Sequence, residues 1–453
     1  MSGRALRAGT LALAMLGAGV VPDAIAQERR SGVPAARPAP DTATVDFVTN
    51  GVRVILRRNA ANDVVAVNLY LLGGVRQVTA ENAGIEPFLL AASERGTQRF
   101  PGDRARLTAE ALGSTFVIEP TADWTMFGFR ALRATLDSTW ALFADRLMAP
   151  TLDPQAVELI RAQLLAETRS RRDSPDALVN FLADSIGFEG HPYGLSPFGT
   201  ESSIARLTID ALREYRQAQI VTSRMLLVVV GNVDRAGIER LVRRTLGELP
   251  RGSYAWNPPG LLPEHAGELT VVRRPLPTNY LQGRFAGPAA GDWKDYQALR
   301  VATAILSGRL FNEIRGRHNL TYAVDASFTE GAISSGGIYI TTVVPDSALT
   351  LIRREIVRLQ MELVDPSSLG RLVQGFLTEY FLENETNAEQ GDFLARAALY
   401  RGDYRAAGRF VDELRHVTPE DVRRVARRYI RNVRWAYVGN PGRITRERAT
   451  GME

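Results

Sequence analysis

Two histidines one helical turn apart share a helix face and can both reach a metal ion, and a glutamate beside them can take a proton from the metal-bound water. The chain has four histidines, His191, His265, His318 and His416, and no two of them fall at that spacing. It has no cysteine, so it offers no thiol nucleophile and no disulfide framework. Residues 84–97 read GIEPFLLAASERGT and, taken alone, describe an ordinary buried helix. Pro87 lacks the N–H that a regular helical bond needs, so it disfavours a regular helix at its own position unless it falls in the first turn.

The elements around this stretch can be read from periodicity. Residues 44–48 alternate, Asn50-Gly51 is a hairpin turn, and residues 52–56 continue as a strand. Residues 64–72 form another strand, ending at Gly73-Gly74. Helical patterns follow at 84–95, 104–112, 133–147 and 154–172, with strands at 115–120 and 124–131 between them. A duplication then emerges. Leu-Thr-Ile-Asp-Ala-Leu-Arg from Leu207 leads through Tyr215 to a strand ending in Gly231-Asn232. Val-Thr-Pro-Glu-Asp-Val-Arg from Val417 leads through Tyr429 to a strand ending in Gly439-Asn440. Thr208 and Thr418 stand where a helix N-cap is wanted, and Pro419 suits the first turn. A capped helix feeding a strand, repeated at half the chain length, points to two homologous α+β halves, 42–250 and 268–447, joined by a Pro- and Gly-containing linker, 251–267.

The 453 residues carry a formal net charge of +5. Nearly all the positive charge is arginine, Lys294 being the only lysine, and acidic residues are interspersed, so no basic stripe for nucleic acid is evident. Arg4 and Arg7, the apolar run at 11–21 and Ala24-Ile25-Ala26 read as a signal peptide over 1–26, with a disordered leader at 27–41. The mature chain is therefore expected to be exported, in the style of a Gram-negative periplasmic protein, with no integral membrane span.

Several short motifs, in order and at consistent spacing, carry a family resemblance. They are Asn50-Gly51-Val52-Arg53-Val54, Gly84-Ile85, Gly96-Thr97, His191-Pro192-Tyr193-Gly194, Gly199-Thr200 and Val229-Val230-Gly231. Together with the duplication they resemble the insulinase/pitrilysin metallopeptidase family over nearly all of the mature chain. The resemblance implies an α+β fold of two halves, each a mainly antiparallel sheet flanked by helices, joined by a linker into a clam-shell-like chain. Laid on the family's zinc helix, the first histidine falls on Pro87, the general-base glutamate on Leu90 and the second histidine on Ala91. The third ligand falls on Glu167, which is intact. One carboxylate without its two imidazoles binds zinc poorly, so no catalytic zinc is expected in this chain. His191 marks a family landmark and reads as structural.

The second half keeps what the first has lost. Residues 308–328, GRLFNEIRGRHNLTYAVDASF, resemble the segment in which active members carry an Arg and a Tyr seven residues apart, here Arg315 and Tyr322. The helical pattern of 302–315 would end at Gly316, and the sequence from Tyr322 alternates like a strand. In the family that pair holds the substrate backbone and stabilises an oxyanion. The chemistry suits a forked, permanently charged guanidinium and a directional phenol donor. Residues 331–342 read as a strand beside the pair or, at Gly336-Gly337, as a hairpin turn. Some family members divide the work between two chains. The expectation is thus a non-zinc subunit of a heteromeric insulinase-type peptidase, with Arg315 and Tyr322 acting in trans. Its partner would be a paralogous HxxEH-bearing subunit that holds the zinc, and its substrates short or unfolded peptides bound along a sheet edge. The alternative is a catalytically inert peptide-binding or scaffold protein of the same fold.

Overall fold

The computed structural model describes residues 44–451; the expected signal peptide at 1–26 and leader at 27–41 lie outside the described residues. The first half opens with β1 (Thr44–Thr49) and β2 (Val52–Arg58), paired antiparallel across Asn50-Gly51. Both turn residues have positive φ, 46° and 83°, the geometry that Asn-Gly favours in a two-residue hairpin. There follow β3 (Val64–Leu72), α1 (Ile85–Ala92), α2 (Arg104–Ala111), β4 (Thr115–Pro120), β5 (Trp124–Leu132), α3 (Leu136–Met148), α4 (Pro154–Asp173) and α5 (Pro175–Gly187). α6 (Glu201–Arg206), α7 (Ile209–Gln219), β6 (Met225–Gly231) and α8 (Arg235–Arg243) complete it. The second half holds β7 (Glu268–Arg273), β8 (Asn279–Ala289), α9 (Trp293–Leu310), β9 (Thr321–Thr329), β10 (Ile333–Thr342) and α10 (Pro345–Met361). It continues with α11 (Pro366–Glu383), α12 (Asn387–Tyr400), α13 (Phe410–Arg415), α14 (Pro419–Tyr429), β11 (Arg434–Gly439) and α15 (Arg446–Thr450).

The first sheet runs β1-β2-β6-β3-β5-β4 and the second β7-β11-β8-β10-β9. Without β1 the two orders coincide. In each, a parallel pair joins an opening strand to the closing strand, β2 with β6 and β7 with β11. The sequence repeat is therefore a repeat of structure. Thr208 caps α7 by accepting from the Ala211 N–H, and Thr418 caps α14 by accepting from the Asp421 N–H.

β6 is apolar along its whole length because both of its faces are covered. Met225, Leu227 and Val229 join the core of the first half with Phe88 and Leu90 of α1 and Phe143 of α3. Leu226, Val228 and Val230 face the other way, onto Leu394, Ala395 and Ala398 of α12 from the second half. The second sheet reciprocates. Trp435 and Tyr437 of β11 enter their own core, while Ala436 and Val438 pack on Val179 and Ala183 of α5 from the first half. Each half thus lends a helix to the other's sheet. Both loaned helices are well started: Ser174 caps α5 ahead of Pro175, and Thr386 and Glu389 form a capping box on α12. Burial of a leucine such as Leu394 contributes about 1.5–3 kcal/mol, so the exchange couples the halves energetically as well as topologically.

Two local expectations are corrected. Gly336-Gly337 is not a turn; both residues lie inside β10, between β8 and β9. A Cβ on Gly336 would stand 2.0 Å from the Phe285 ring, so the glycine makes room for that ring. The helix before the Arg/Tyr segment does not stop at Gly316 either. It widens into a π-helical turn, Phe311–Arg317, and the left-handed residue after it is Asn319, at φ 50°.

Candidate functional site

α1 is a core helix. Pro87 falls in its first turn, where the missing N–H leaves no bond unmade, and Phe88 N–H bonds the Gly84 carbonyl. Leu90 is 1 % exposed, and Ala91 packs against the same cluster. The Arg146 guanidinium donates to the Leu90 carbonyl at 3.0 Å and to Ser93 Oγ at 3.1 Å, and it stacks on Phe116 and Phe127. Burial lowers its pKa to about 10. Glu86, beside Pro87, is buried too; it pairs with Arg224 at 2.9 Å and accepts from the Tyr215 hydroxyl. Glu167 lies exposed on α4. The zinc implied by the fold does not fit these residues: Pro87, Leu90 and Ala91 offer no donor atom, and Glu167 stands alone. Among the described residues no group of three or more His, Asp or Glu is placed to hold a metal.

The histidines are used in other ways. His191 Nδ1 accepts from the Tyr193 N–H at 3.2 Å, so Nε2 carries the proton and donates to the Gly260 carbonyl at 3.1 Å. That pairing suits the neutral ring, and burial lowers the His191 pKa from its ordinary value. His265 meets the Glu189 carbonyl, His318 lies 3.4 Å from the Glu313 carboxylate, and His416 meets the Asp412 carbonyl. The His-Pro-Tyr-Gly segment also reaches a residue that sequence reasoning missed. Asp123, buried in the β4–β5 connection, accepts from the Tyr193 hydroxyl at 2.6 Å, the Tyr400 hydroxyl at 2.9 Å and the Ala332 N–H at 2.9 Å. One carboxylate of the first half thereby gathers two donors from the second. Nothing in a lone Asp before Trp124 signals this role.

Arg315 and Tyr322 are brought together. Arg315 Nη1 donates to the Tyr322 carbonyl at 3.0 Å, and its guanidinium lies 4.9 Å from the centre of the Tyr322 ring and 5.1 Å from that of Phe311. The π turn holds Arg315 in place. Glu313 is buried in that turn, bonded to Arg354, to Arg317 at 2.9 Å and to His318. Tyr322 is 82 % exposed although it opens a strand. An open cleft of about 680 Å³ lies alongside, lined by Arg315, Tyr322, Tyr280, Tyr339 and Asp176, with Tyr339 bonded to Asp176 of the loaned helix α5. A fixed guanidinium and an exposed phenol on the edge strand of a sheet can hold an extended backbone and meet a developing oxyanion.

This architecture matches what the chain is similar to. Residues 53–201 match the model of the insulinase family (peptidase family M16), and residues 206–376 match that of the peptidase M16 inactive domain. The chain belongs to the insulinase/pitrilysin family, as a homologue of the inactive type. It is 27 % identical to an uncharacterized zinc protease of Mycobacterium tuberculosis, over 87 % of this chain and 91 % of the relative. It is 26 % identical to the mitochondrial-processing peptidase subunit beta of Blastocladiella emersonii, over 85 % and 86 %. The solved peptidase M16 inactive domain from Pseudomonas fluorescens superposes with a TM-score of 0.80 at 18 % identity, covering 88 % of this chain and 98 % of that one, and shares the fold. Among the described residues no helix is long and apolar enough to cross a membrane.

Proposed function

We propose that the chain is the non-zinc subunit of a heteromeric insulinase-type peptidase, working in trans with a paralogous zinc-bearing subunit. The observation that carries this reading is the Arg315–Tyr322 contact, kept on an open cleft in a chain whose α1 has no metal donor. A guanidinium and a phenol placed this way stabilise a tetrahedral oxyanion only if another chain supplies the activated water. Short or unfolded peptides would bind extended along the β9 edge, their backbone held by Arg315 and Tyr322. The similarity to a relative named as a processing-peptidase subunit supports a two-chain enzyme, and the signal-like N-terminus supports action in the periplasm.

The test is hydrolysis of a fluorogenic peptide by the mature chain, alone and mixed with an HxxEH-bearing paralogue from the same genome, with and without chelator. The expected result is silence alone and, in the mixture, chelator-sensitive turnover above that of the paralogue by itself. A paralogue indifferent to this chain would replace the reading with the peptide-binding or scaffold alternative.

A further inference from the structure

We propose that Thr321 is a positioning residue for Tyr322: its hydroxyl holds a β-bulge that turns the phenol out of the core and onto the cleft. The inference rests on the peptidase-subunit reading for its catalytic consequence, but the bulge itself is a property of the chain alone.

Among the described residues β9 is an edge strand, with β10 as its only neighbour in the sheet. From Phe328 to Val324 its pairing with β10 is regular; Val324 then faces Ile340 and Thr321 faces Thr342. Three steps on β9 thus oppose two on β10, so the Tyr322–Ala323 stretch carries one residue too many. In an unbroken strand, Tyr322 would share a face with Val324 and Ala326, which are buried in the core that includes α9. The extra residue breaks that alternation, and Tyr322 emerges exposed.

A bulge leaves ladder groups without partners, and side chains meet several of them. Thr321 Oγ1 accepts the Ala323 N–H at 3.1 Å and lies 2.6 Å from the Thr341 carbonyl, to which it donates. The Ala323 carbonyl, at 2.8 Å, competes for the same proton. Thr342 Oγ1 donates to the Leu320 carbonyl at 2.7 Å, and Arg315 takes the Tyr322 carbonyl. Thr321 is 8 % exposed and its hydroxyl is spent on backbone, so it acts on substrate only through Tyr322. Thr342 Oγ1 likewise accepts the Val344 N–H at 3.1 Å, but it is Thr321 Oγ1 that ties the Ala323 N–H of the bulged stretch to the Thr341 carbonyl of β10.

The test compares Thr321→Val, which keeps shape and strand preference but lacks the hydroxyl, with Thr321→Ser, which keeps the hydroxyl. In the full chain alone, Thr321→Val should speed amide exchange of Ala323 by roughly tenfold or more and slow nitration of Tyr322 by tetranitromethane. Thr321→Ser should leave both near wild type. In the mixture with the zinc-bearing paralogue, Thr321→Val should lower kcat by about tenfold with KM little changed, as expected when geometry rather than binding is lost, and Thr321→Ser should restore it. Wild-type exchange and nitration in Thr321→Val, or equal effects of the two variants, would overturn the proposal. If instead neither the wild-type chain nor Arg315→Ala alters the paralogue's turnover, the peptidase-subunit reading fails, while exchange and nitration still decide the bulge.

Discussion

The guanidinium of Arg315 is bonded through Nη1 to the main-chain carbonyl of Tyr322 and lies over the same residue's ring. Arg315 therefore fixes the strand entry that presents the phenol, and one of its five N–H donors is already committed to that task. The pair is a single unit, and removing either member disturbs the other.

Arg315→Ala should lower the turnover of the mixed complex by about 10²-fold, the usual scale for loss of one oxyanion donor, without preventing co-purification of the two chains. Arg315→Lys should not rescue it, because an ammonium cannot hold the Tyr322 carbonyl and a substrate oxygen in one plane. Steady-state kinetics with a fluorogenic peptide, beside analytical gel filtration, separates the two outcomes.

Tyr322→Phe removes only the phenol oxygen from an exposed ring. Its effect on unfolding free energy should stay within about 0.5 kcal/mol, as for surface changes generally. Turnover in the mixture should nonetheless fall by about tenfold or more if the hydroxyl meets the oxyanion. Equal activity at equal stability would remove Tyr322 from the chemistry.

Asp123→Ala should be among the more destabilising single substitutions in the chain. It leaves the buried Tyr193 hydroxyl and the Ala332 N–H without their acceptor, and the loss should be roughly 3 kcal/mol or more in equilibrium urea unfolding. Burial and the neighbouring Asp123 hold the Tyr193 hydroxyl firmly protonated, so the phenol remains a donor across the working pH range. Asp123→Asn, which keeps a carbonyl acceptor, should cost less.

Below neutrality His191 should weaken the joint between the halves. Its folded pKa lies under the ordinary value because burial disfavours the charged ring. The unfolded chain then binds the proton more readily, so this contribution is intact above about pH 6.5 and is lost as the pH falls below it. Protonation would also set Nδ1–H against the Tyr193 N–H. Thermal unfolding at stepped pH should show a decline below pH ~6.5 that is reduced in His191→Gln.

Chelation should leave this chain's unfolding unchanged. Introducing the lost general base by Leu90→Glu, with or without the lost donors by Pro87→His and Ala91→His, should destabilise the fold by several kcal/mol, because it puts a carboxylate into a closed apolar core. Melting with and without EDTA, and metal analysis of the purified variants, would detect any zinc site that forms.

The sequence by itself determined the elements whose signals are local. The Asn50-Gly51 hairpin, the caps at Thr208 and Thr418 and the apolar strand β6 were legible because a turn, a capping oxygen and an unbroken apolar run each act within a few residues. It also determined what Pro87, Leu90 and Ala91 cannot do, since a side chain without donor atoms binds no metal in any fold. The tertiary structure alone decided the rest. α5 and α12 carry ordinary amphipathic patterns, and nothing in them says that each covers the opposite half's sheet. Asp123 gathers Tyr193 and Tyr400 from distant parts of the chain. The bulge that exposes Tyr322 arises from a pairing mismatch between β9 and β10, and register belongs to two strands together, so neither strand's sequence could reveal it alone.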